Sequence, residues 1–198
     1  MNFSQKITCF ILAAFCAGLA SCGNSKLSIA EKAINKALQD KPQCESLPAR
    51  PINLKITPSP ESALGILIAK GLVIESTVEI QRYSFTNASI QIFEPTDAGK
   101  NLIVESRSSE HRACIRTGYF KVKSMKAIDF GDEFGQPIAH ARAEIQFIPE
   151  EWLKETTALE SWKQYWSGIA ETEKTQWIYR LKVSGDEMIS SGDGKEFK

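Results

Sequence analysis

The apolar residues of the N-terminal half recur at helical spacing. In residues 28–40 they share one face, and Ser28 begins a capping box that is typical of a helix start. A second helix is predicted from Ser59, a suitable N-cap, to Gly71, which suits the C′ position. Residues 95–106 have the composition of a further short helix. The first half is therefore predicted to be mainly helical.

Alternation of apolar and polar residues predicts strands, most of them in the second half. The predicted strands cover residues 52–56, 72–80, 89–95, 113–130, 138–148, 175–185 and 187–190. Residues 130–137 are rich in glycine and aspartate and contain a proline, so they are predicted to form a hairpin turn. Residues 41–50 have the composition of a loop, and residues 191–198 are predicted to be a loose tail.

A third helix, predicted over residues 149–166, carries three of the four tryptophans and one tyrosine. Four of its apolar residues lie at helical spacing and would face a core, namely Trp152, Leu159, Trp162 and Trp166. The alternative is a groove for a partner or an apolar ligand, because Trp is enriched at interfaces. Tyr165 lies off this face and is left as an exposed contact. The candidate contact surface is Trp162, Tyr165 and Trp166.

Composition excludes several functional classes without naming one. The chain has 198 residues, of which 42% are hydrophobic and 24% charged, as in an ordinary globular protein. Lys plus Arg equals Asp plus Glu at 24 each, and the charges are well mixed. Such a neutral chain lacks the basic field with which nucleic-acid-binding proteins attract phosphates, so no nucleic-acid partner is predicted.

The first 21 residues have the pattern of a secretory signal peptide. Lys6 gives a positive start, and residues 7–20 carry no charge and end in small residues. As a helix these 14 residues would rise about 21 Å, at about 1.5 Å per residue, which is less than the ~30 Å hydrocarbon core of a bilayer. A cleaved leader is therefore favoured over a transmembrane anchor.

The leader ends in Leu19-Ala20-Ser21-Cys22, which resembles the lipobox of bacterial lipoproteins. The resemblance implies that the Cys22 thiol is joined to diacylglycerol and that the chain is cut before Cys22. Gly23 and Asn24 follow where the family's inner-membrane retention signal would place Asp, which implies the outer membrane. Two or three acyl chains hold a protein stably on a membrane. The chain is thus similar to small lipoproteins of Gram-negative bacteria, with the domain facing the periplasm.

The five cysteines can be assigned on this basis. Cys9 and Cys16 would leave with the leader, and Cys22 would carry the lipid, so Cys44 and Cys114 remain. They would stand in an oxidising compartment, where disulfides persist, and one intramolecular bond is predicted between them. Two separate buried thiols or an intermolecular bridge are the alternatives.

The order of predicted elements in the first half also resembles a winged-helix domain. The motifs that carry this likeness are short and comprise Leu67, Gly71, Leu72 and Val73, followed by Phe93, Thr96 and Gly99. Glu94 and Pro95 interrupt the second motif. The family usually binds DNA, whereas the signal peptide predicts export. A winged-helix shape here would therefore be a scaffold with another use.

Motifs for catalysis or metal binding are not found in the sequence. His111 and His140 are the only histidines, and their spacing fits no zinc motif. Asp132 and Glu133 are adjacent carboxylates, but a solvated turn would not raise the pKa of either one for acid catalysis. We predict no catalytic residue, no metal site and no cofactor.

Together these patterns predict an α+β fold, in which an N-terminal helical, winged-helix-like part packs on a C-terminal antiparallel sheet with one helix. The predicted segments are a signal peptide (1–21), a lipidated tether (22–27), the helical subdomain (28–108), the sheet subdomain (109–190) and a tail (191–198). The predicted function is that of a non-catalytic binding or adaptor module in the cell envelope, with an envelope protein as its partner. An envelope hydrolase or transferase, or a carrier of apolar ligands, is the alternative.

Overall fold

The computed structural model describes residues 25–47, 49–82, 86–104 and 114–197. These residues form a mixed α+β fold in which the sheets are mostly antiparallel, as predicted. The predicted signal peptide, Cys22, His111 and the domain boundary after residue 108 lie outside the described residues. Within the described part of the chain, no helix has both the length and the apolar character needed to cross a membrane.

The regular elements are numbered here in chain order. The α-helices are α1 (25–39), α2 (Ala63–Ala69), α3 (Glu151–Lys154) and α4 (Lys163–Lys174). The strands are β1 (Gln43–Ser46), β2 (Ala49–Pro51), β3 (Val73–Arg82), β4 (Thr86–Pro95), β5 (Ile103–Val104), β6 (Cys114–Glu133), β7 (Gln136–Pro149), β8 (Gln176–Ser184) and β9 (Glu187–Glu196). Short 3-10 helices cover Ile52–Leu54, Lys100–Leu102, Glu155–Ala158 and Glu160–Trp162.

The described residues group into two compact units, each assembled from separate stretches of the chain. The first unit comprises residues 25–40, 121–146 and 173–197. The second comprises the described residues of 41–120 together with 147–172. Both units thus take segments from each side of the boundary predicted after residue 108.

The first unit contains α1 and an antiparallel sheet with the strand order β6-β7-β8-β9. One face of α1 is buried, through Ala30, Ile34, Ala37 and Leu38. The side-chain oxygen of Asn35 accepts a hydrogen bond from the backbone N–H of Val122 in β6 at 2.7 Å. Tyr179 of β8 is buried in the same unit, and this burial raises its pKa to about 12.

The second unit contains a three-stranded antiparallel sheet in the order β2-β4-β3. β1 and β5 both pair with the first residues of β6. The fully buried Gln91 of β4 is satisfied by Ile56, whose N–H donates to the Gln91 side-chain oxygen at 3.0 Å and whose carbonyl accepts from its amide at 3.1 Å. The buried core is Leu47, Leu64, Leu67, Val73, Phe93, Ile115, Phe147, Trp152 and Leu153.

The helix starts differ from the predicted ones. α1 already includes residue 25, so Ser28 lies inside the helix and the predicted capping box there is wrong. The N-cap of α2 is Ser62, whose hydroxyl accepts from Gly65 N at 3.0 Å, while Ser59 contributes only its carbonyl to the turn before the helix. The predicted role of Gly71 is confirmed, since its φ is +65° directly after the helix.

Several extended segments also differ from the predictions. Residues 52–54 form a 3-10 helix instead of a strand, and Ile52 and Leu54 are exposed, so their alternation does not reflect burial. The predicted loop 41–50 contains β1 and β2. The predicted loose tail is wrong for residues 191–196, which belong to β9 and pair with β8 up to Glu196 opposite Trp177. β1 and β2 pair with β6 and β4, which lie far along the chain, so the local pattern carries little information about them.

Candidate functional site

The predicted third helix is broken, and the break decides where its aromatic side chains lie. α3 ends at Lys154, two 3-10 turns follow, and α4 begins only at Lys163. Leu159 between the two 3-10 turns is extended, with φ −82° and ψ 131°. Residues on either side of Leu159 therefore do not share one helical face, and the predicted continuous helix over 149–166 is wrong.

Six aromatic rings of the second unit form a continuous row of edge-to-face and tilted contacts, which we call the aromatic row. Its neighbouring ring centroids are 5.3 Å apart for Phe120–Phe147, 6.4 Å for Phe147–Trp166, 5.6 Å for Trp166–Tyr165, 5.5 Å for Tyr165–Trp162 and 6.3 Å for Trp162–Trp152. Aromatic pairs prefer such geometries over face-to-face stacking. Phe147 and Trp152 of the row belong to the buried core, and the other four rings are half-buried against it.

Hydrogen bonds fix the three indole rings of the row. Trp152 donates to the carbonyl of Arg116 at 3.0 Å, and Trp162 donates to the carbonyl of Glu61 at 2.8 Å. Trp166 donates to the hydroxyl of Thr156 at 3.0 Å, and that hydroxyl in turn donates to a backbone carbonyl. The rings are therefore held in place before any ligand arrives.

Trp162 and Tyr165 form one wall of an open cleft of about 610 Å³ in the second unit, which we call the cleft. The other lining residues are Glu45, Ser59, Glu61, Ser62, Ala63, Ser161 and Gln164. Two carboxylates and three hydroxyls thus surround two aromatic rings. Glu45 and Glu61 thus give the cleft a negative charge.

The turn before α2 also lines the cleft, through Ser59, Glu61 and Ser62. It is closed by Ser62 N donating to Ser59 O at 2.9 Å. A Cβ on Gly65 would lie 2.0 Å from that same Ser59 carbonyl oxygen, so only glycine allows this close approach. Gly65 is therefore the residue that lets the turn pack against the start of α2.

Tyr165 is half-buried, whereas the sequence predicted an exposed contact. Its hydroxyl oxygen is shielded from solvent and has no hydrogen bond of normal geometry to a described residue. Burial raises the pKa of Tyr165, the nearby Thr117 hydroxyl opposes this effect, and the charge of Glu45 adds to it. Tyr165 therefore presents a neutral phenol to the cleft near neutral pH. A neutral phenol is a hydrogen-bond donor and a poor base.

Cys44 and Cys114, for which a disulfide is predicted, are neighbours in the second unit. Their sulfur atoms lie within bonding distance, and their Cα atoms are 5.6 Å apart, a usual separation for a disulfide. Cys44 directly precedes Glu45 in β1, and Glu45 pairs with Ile115 of β6. A bond between the two cysteines would therefore hold Glu45 at the cleft.

The other candidates from the sequence are not brought to the cleft. In the first unit Glu133 is hydrogen-bonded to Arg180 at 2.8 Å, which lowers the pKa of this carboxyl, and His140 lies 3.9 Å from it. The Asp132 carboxylate accepts a bond from Gly135 N at 2.7 Å and so serves the turn. Among the residues that the structure describes, no group of three or more side chains is arranged to hold a metal ion.

The sequence revealed only part of the cleft. Trp162 and Tyr165 stood out because large aromatic side chains are conspicuous in a polar segment. Glu45, Glu61 and the serines lie in stretches of loop-like composition, and only the folded chain brings them together. The one local signal for this part of the cleft is the composition of residues 59–62, which is compatible with an Asx- or Ser-turn.

No protein-family model, curated protein or solved structure matches this chain.

Proposed function

We propose that this protein is a lipid-anchored, non-catalytic binding module of the Gram-negative cell envelope. Its anchor would be the acylated Cys22, favouring the outer membrane, with the domain facing the periplasm. The observation that carries the proposed binding function is the cleft, in which two carboxylates stand beside ordered aromatic rings. The winged-helix likeness stays a prediction and contributes nothing to this proposal.

The chemistry of the cleft suits a cationic side chain presented by a partner protein. A Lys or Arg can be attracted by the carboxylates of Glu45 and Glu61 and can stack against the rings of Trp162 and Tyr165. Trp and Tyr are also the residue types that contribute most binding energy at interfaces. Because Trp162 is already fixed by a hydrogen bond and both rings pack in the aromatic row, little side-chain entropy would be lost on binding.

The alternatives fit the cleft less well. A carrier of apolar ligands needs a cavity lined mainly by apolar side chains, whereas this cleft presents two carboxylates and three hydroxyls. A hydrolase or transferase needs a base or nucleophile of matched pKa, whereas the pKa of Tyr165, the cleft residue with a shifted pKa, is raised away from neutrality. These features favour recognition over catalysis or transport.

A photo-crosslinking amino acid at position 164 tests the cleft in intact cells. Gln164 lines the cleft, and the exposed Ser167 on the same helix does not, so position 167 is the matched control. We expect one protein adduct from position 164 and none from 167. The substitutions Glu45→Lys and Glu61→Lys together should reduce that adduct about tenfold, since a close charge pair contributes about 1.4 kcal/mol or more.

The exposed Glu94→Lys substitution in β4 reverses a charge away from the cleft and should leave the adduct unchanged. Equal adducts from positions 164 and 167, or an adduct from 164 that ignores charge reversal at Glu45 and Glu61, would contradict the proposed binding site.

The anchor is tested by Cys22→Ser, which removes the thiol that the lipid would be attached to. We expect that Cys22→Ser is not labelled by a radioactive fatty acid and that it retains its leader. Wild type is expected to be processed and recovered in the detergent-soluble fraction, whereas the variant is not. Cys44→Ser is the matched control and should still be acylated. Equal labelling of Cys22→Ser and wild type would refute the proposed lipoprotein anchor.

A further inference from the structure

The turn between β6 and β7 exposes an aromatic side chain that its environment does not favour. Phe134 is fully exposed, at 105% of its reference area, and its φ is +55°. Gly135 follows with φ +78°, so both turn residues have positive φ, as in a type I′ hairpin turn. Such positions favour Asn, Asp or Gly, and a bulky residue there is strained. Phe134 is thus disfavoured both by its backbone conformation and by its exposure to water, and this combination points to a role in binding.

One more aromatic side chain is exposed near this tip, in the same unit. Phe130 of β6, three residues before the strand ends, is 48% exposed. The tip thus carries two exposed aromatic side chains, and a patch of this kind marks a binding surface.

The first described helix begins at the same end of the unit. Lys26, in the first turn of the described part of α1, places its ammonium 4.7 Å from the centre of the Phe130 ring. Cys22 precedes Ser25 by three residues in the sequence. Three Cα–Cα steps of 3.8 Å at most span about 11 Å. An acyl group on Cys22 would therefore enter the bilayer within about 11 Å of the residue next to Lys26.

We propose that Phe134, together with Phe130, inserts into the phospholipid surface that holds the acylated Cys22. This inference rests on the proposed lipid anchor. The bilayer is the partner that we assign to this patch, because a tether this short keeps the lipid surface at a high effective concentration next to it. Aromatic side chains are favoured at the level of the lipid headgroups.

The charges around the tip are compatible with this contact. The acidic Glu133 is paired with Arg180 at 2.7 Å, and the Asp132 carboxylate is capped by a backbone N–H. Lys26 stands beside Phe130 and can meet lipid phosphates while its stem lies along apolar surface. The hairpin tip would thus fix the orientation of the first unit on the membrane, which a lipid anchor alone does not do.

The experiment places a nitroxide spin label at Phe134→Cys in the acylated protein, reconstituted in vesicles of phosphatidylethanolamine and phosphatidylglycerol. The matched control is Phe197→Cys, another exposed phenylalanine of the same unit. Its N–H donates to the Gln176 carbonyl, at the end of β8 away from the tip. We expect the ratio of oxygen to nickel-chelate accessibility to be several-fold higher at 134 than at 197. Mass spectrometry of the same sample reports the acyl group.

The outcomes separate the two proposals. A protein shown to be acylated, but with equal label accessibility at 134 and 197, would overturn the insertion of Phe134 and leave the anchor intact. Absence of the acyl group would overturn both. Protection of position 134 in native envelopes but not in pure lipid vesicles would also overturn this inference, because it would indicate a protein partner for the tip.

Discussion

Replacing Trp152 with alanine is expected to lower the free energy of unfolding by about 3–5 kcal/mol. Trp152 is only 2% exposed and belongs to the buried core of the second unit. Its removal would leave a large void, and interiors packed as densely as those of proteins collapse only partly around such a void. The substitution would also remove the indole N–H that donates a hydrogen bond to the Arg116 carbonyl.

The measurement is equilibrium unfolding in urea, monitored by far-UV circular dichroism. This signal reports the backbone, so the loss of an indole does not alter it. Trp162→Ala is the matched control, because Trp162 is half-buried at the cleft and donates its N–H to a carbonyl on the rim. We expect a clearly smaller loss of stability from Trp162→Ala. If both substitutions cost the same free energy, Trp152 is not the anchor of this core.

Trp152→Phe separates the two contributions of this side chain. The phenyl ring retains most of the apolar volume but has no N–H, so the Arg116 carbonyl would lose its partner. We expect a cost of about 1–3 kcal/mol, as for other unsatisfied buried polar groups. A loss as large as that of Trp152→Ala would show that shape, and not hydrogen bonding, decides the contribution.

The long strands could be predicted because one face of each is buried. In β7 the buried residues Ala139, Ala141, Ala143, Ile145 and Phe147 alternate with half-buried ones. The turn before β7 was equally clear, because Gly135 and its polar neighbours are typical hairpin residues. Both signals are local, so neither needed knowledge of the rest of the chain.

The missed features depend on contacts that the local hydrophobic pattern does not show. β9 contains the sequence Ser-Ser-Gly-Asp-Gly, which has low strand propensity, and it is held by pairing with β8, where Tyr179 stands opposite Gly194. The break at Leu159 has no proline or glycine to announce it. It is accompanied by the Trp166 bond to Thr156, which a helix-periodicity argument does not consider. The cleft carboxylates likewise became visible only when β1 and α2 met the aromatic row.

The position of Glu45 leads to the prediction for the cysteines. β1 is only four residues long and all four are exposed, so few apolar contacts hold it against β6. Edge strands of this kind open easily, since little buried surface opposes local unfolding. If Cys44 and Cys114 are bonded, the cross-link rather than packing keeps β1, and with it the Glu45 carboxylate, beside the aromatic rings.

Replacing both cysteines, as Cys44→Ala and Cys114→Ala, is accordingly expected to lower the free energy of unfolding by about 4 kcal/mol. The loop-entropy estimate for a bond that joins residues 70 apart gives this size, because the bond restricts the unfolded chain. Urea unfolding of the oxidised protein and of the double variant measures the difference. The adduct from position 164 should fall in the double variant as well, because β1 would no longer hold Glu45 at the cleft.

Reduction of the wild-type protein is the control that leaves the sequence unchanged. If the bond exists, reduced wild type and the double variant should lose the same stability, and neither Cys44 nor Cys114 of the oxidised wild type should react with a maleimide after unfolding. Reaction at both Cys44 and Cys114 in the unfolded oxidised protein would rule out the bond directly. A bond with a stability effect below about 1 kcal/mol would instead mean that the unfolded chain keeps residues 44 and 114 close together, since the entropic gain arises in that state.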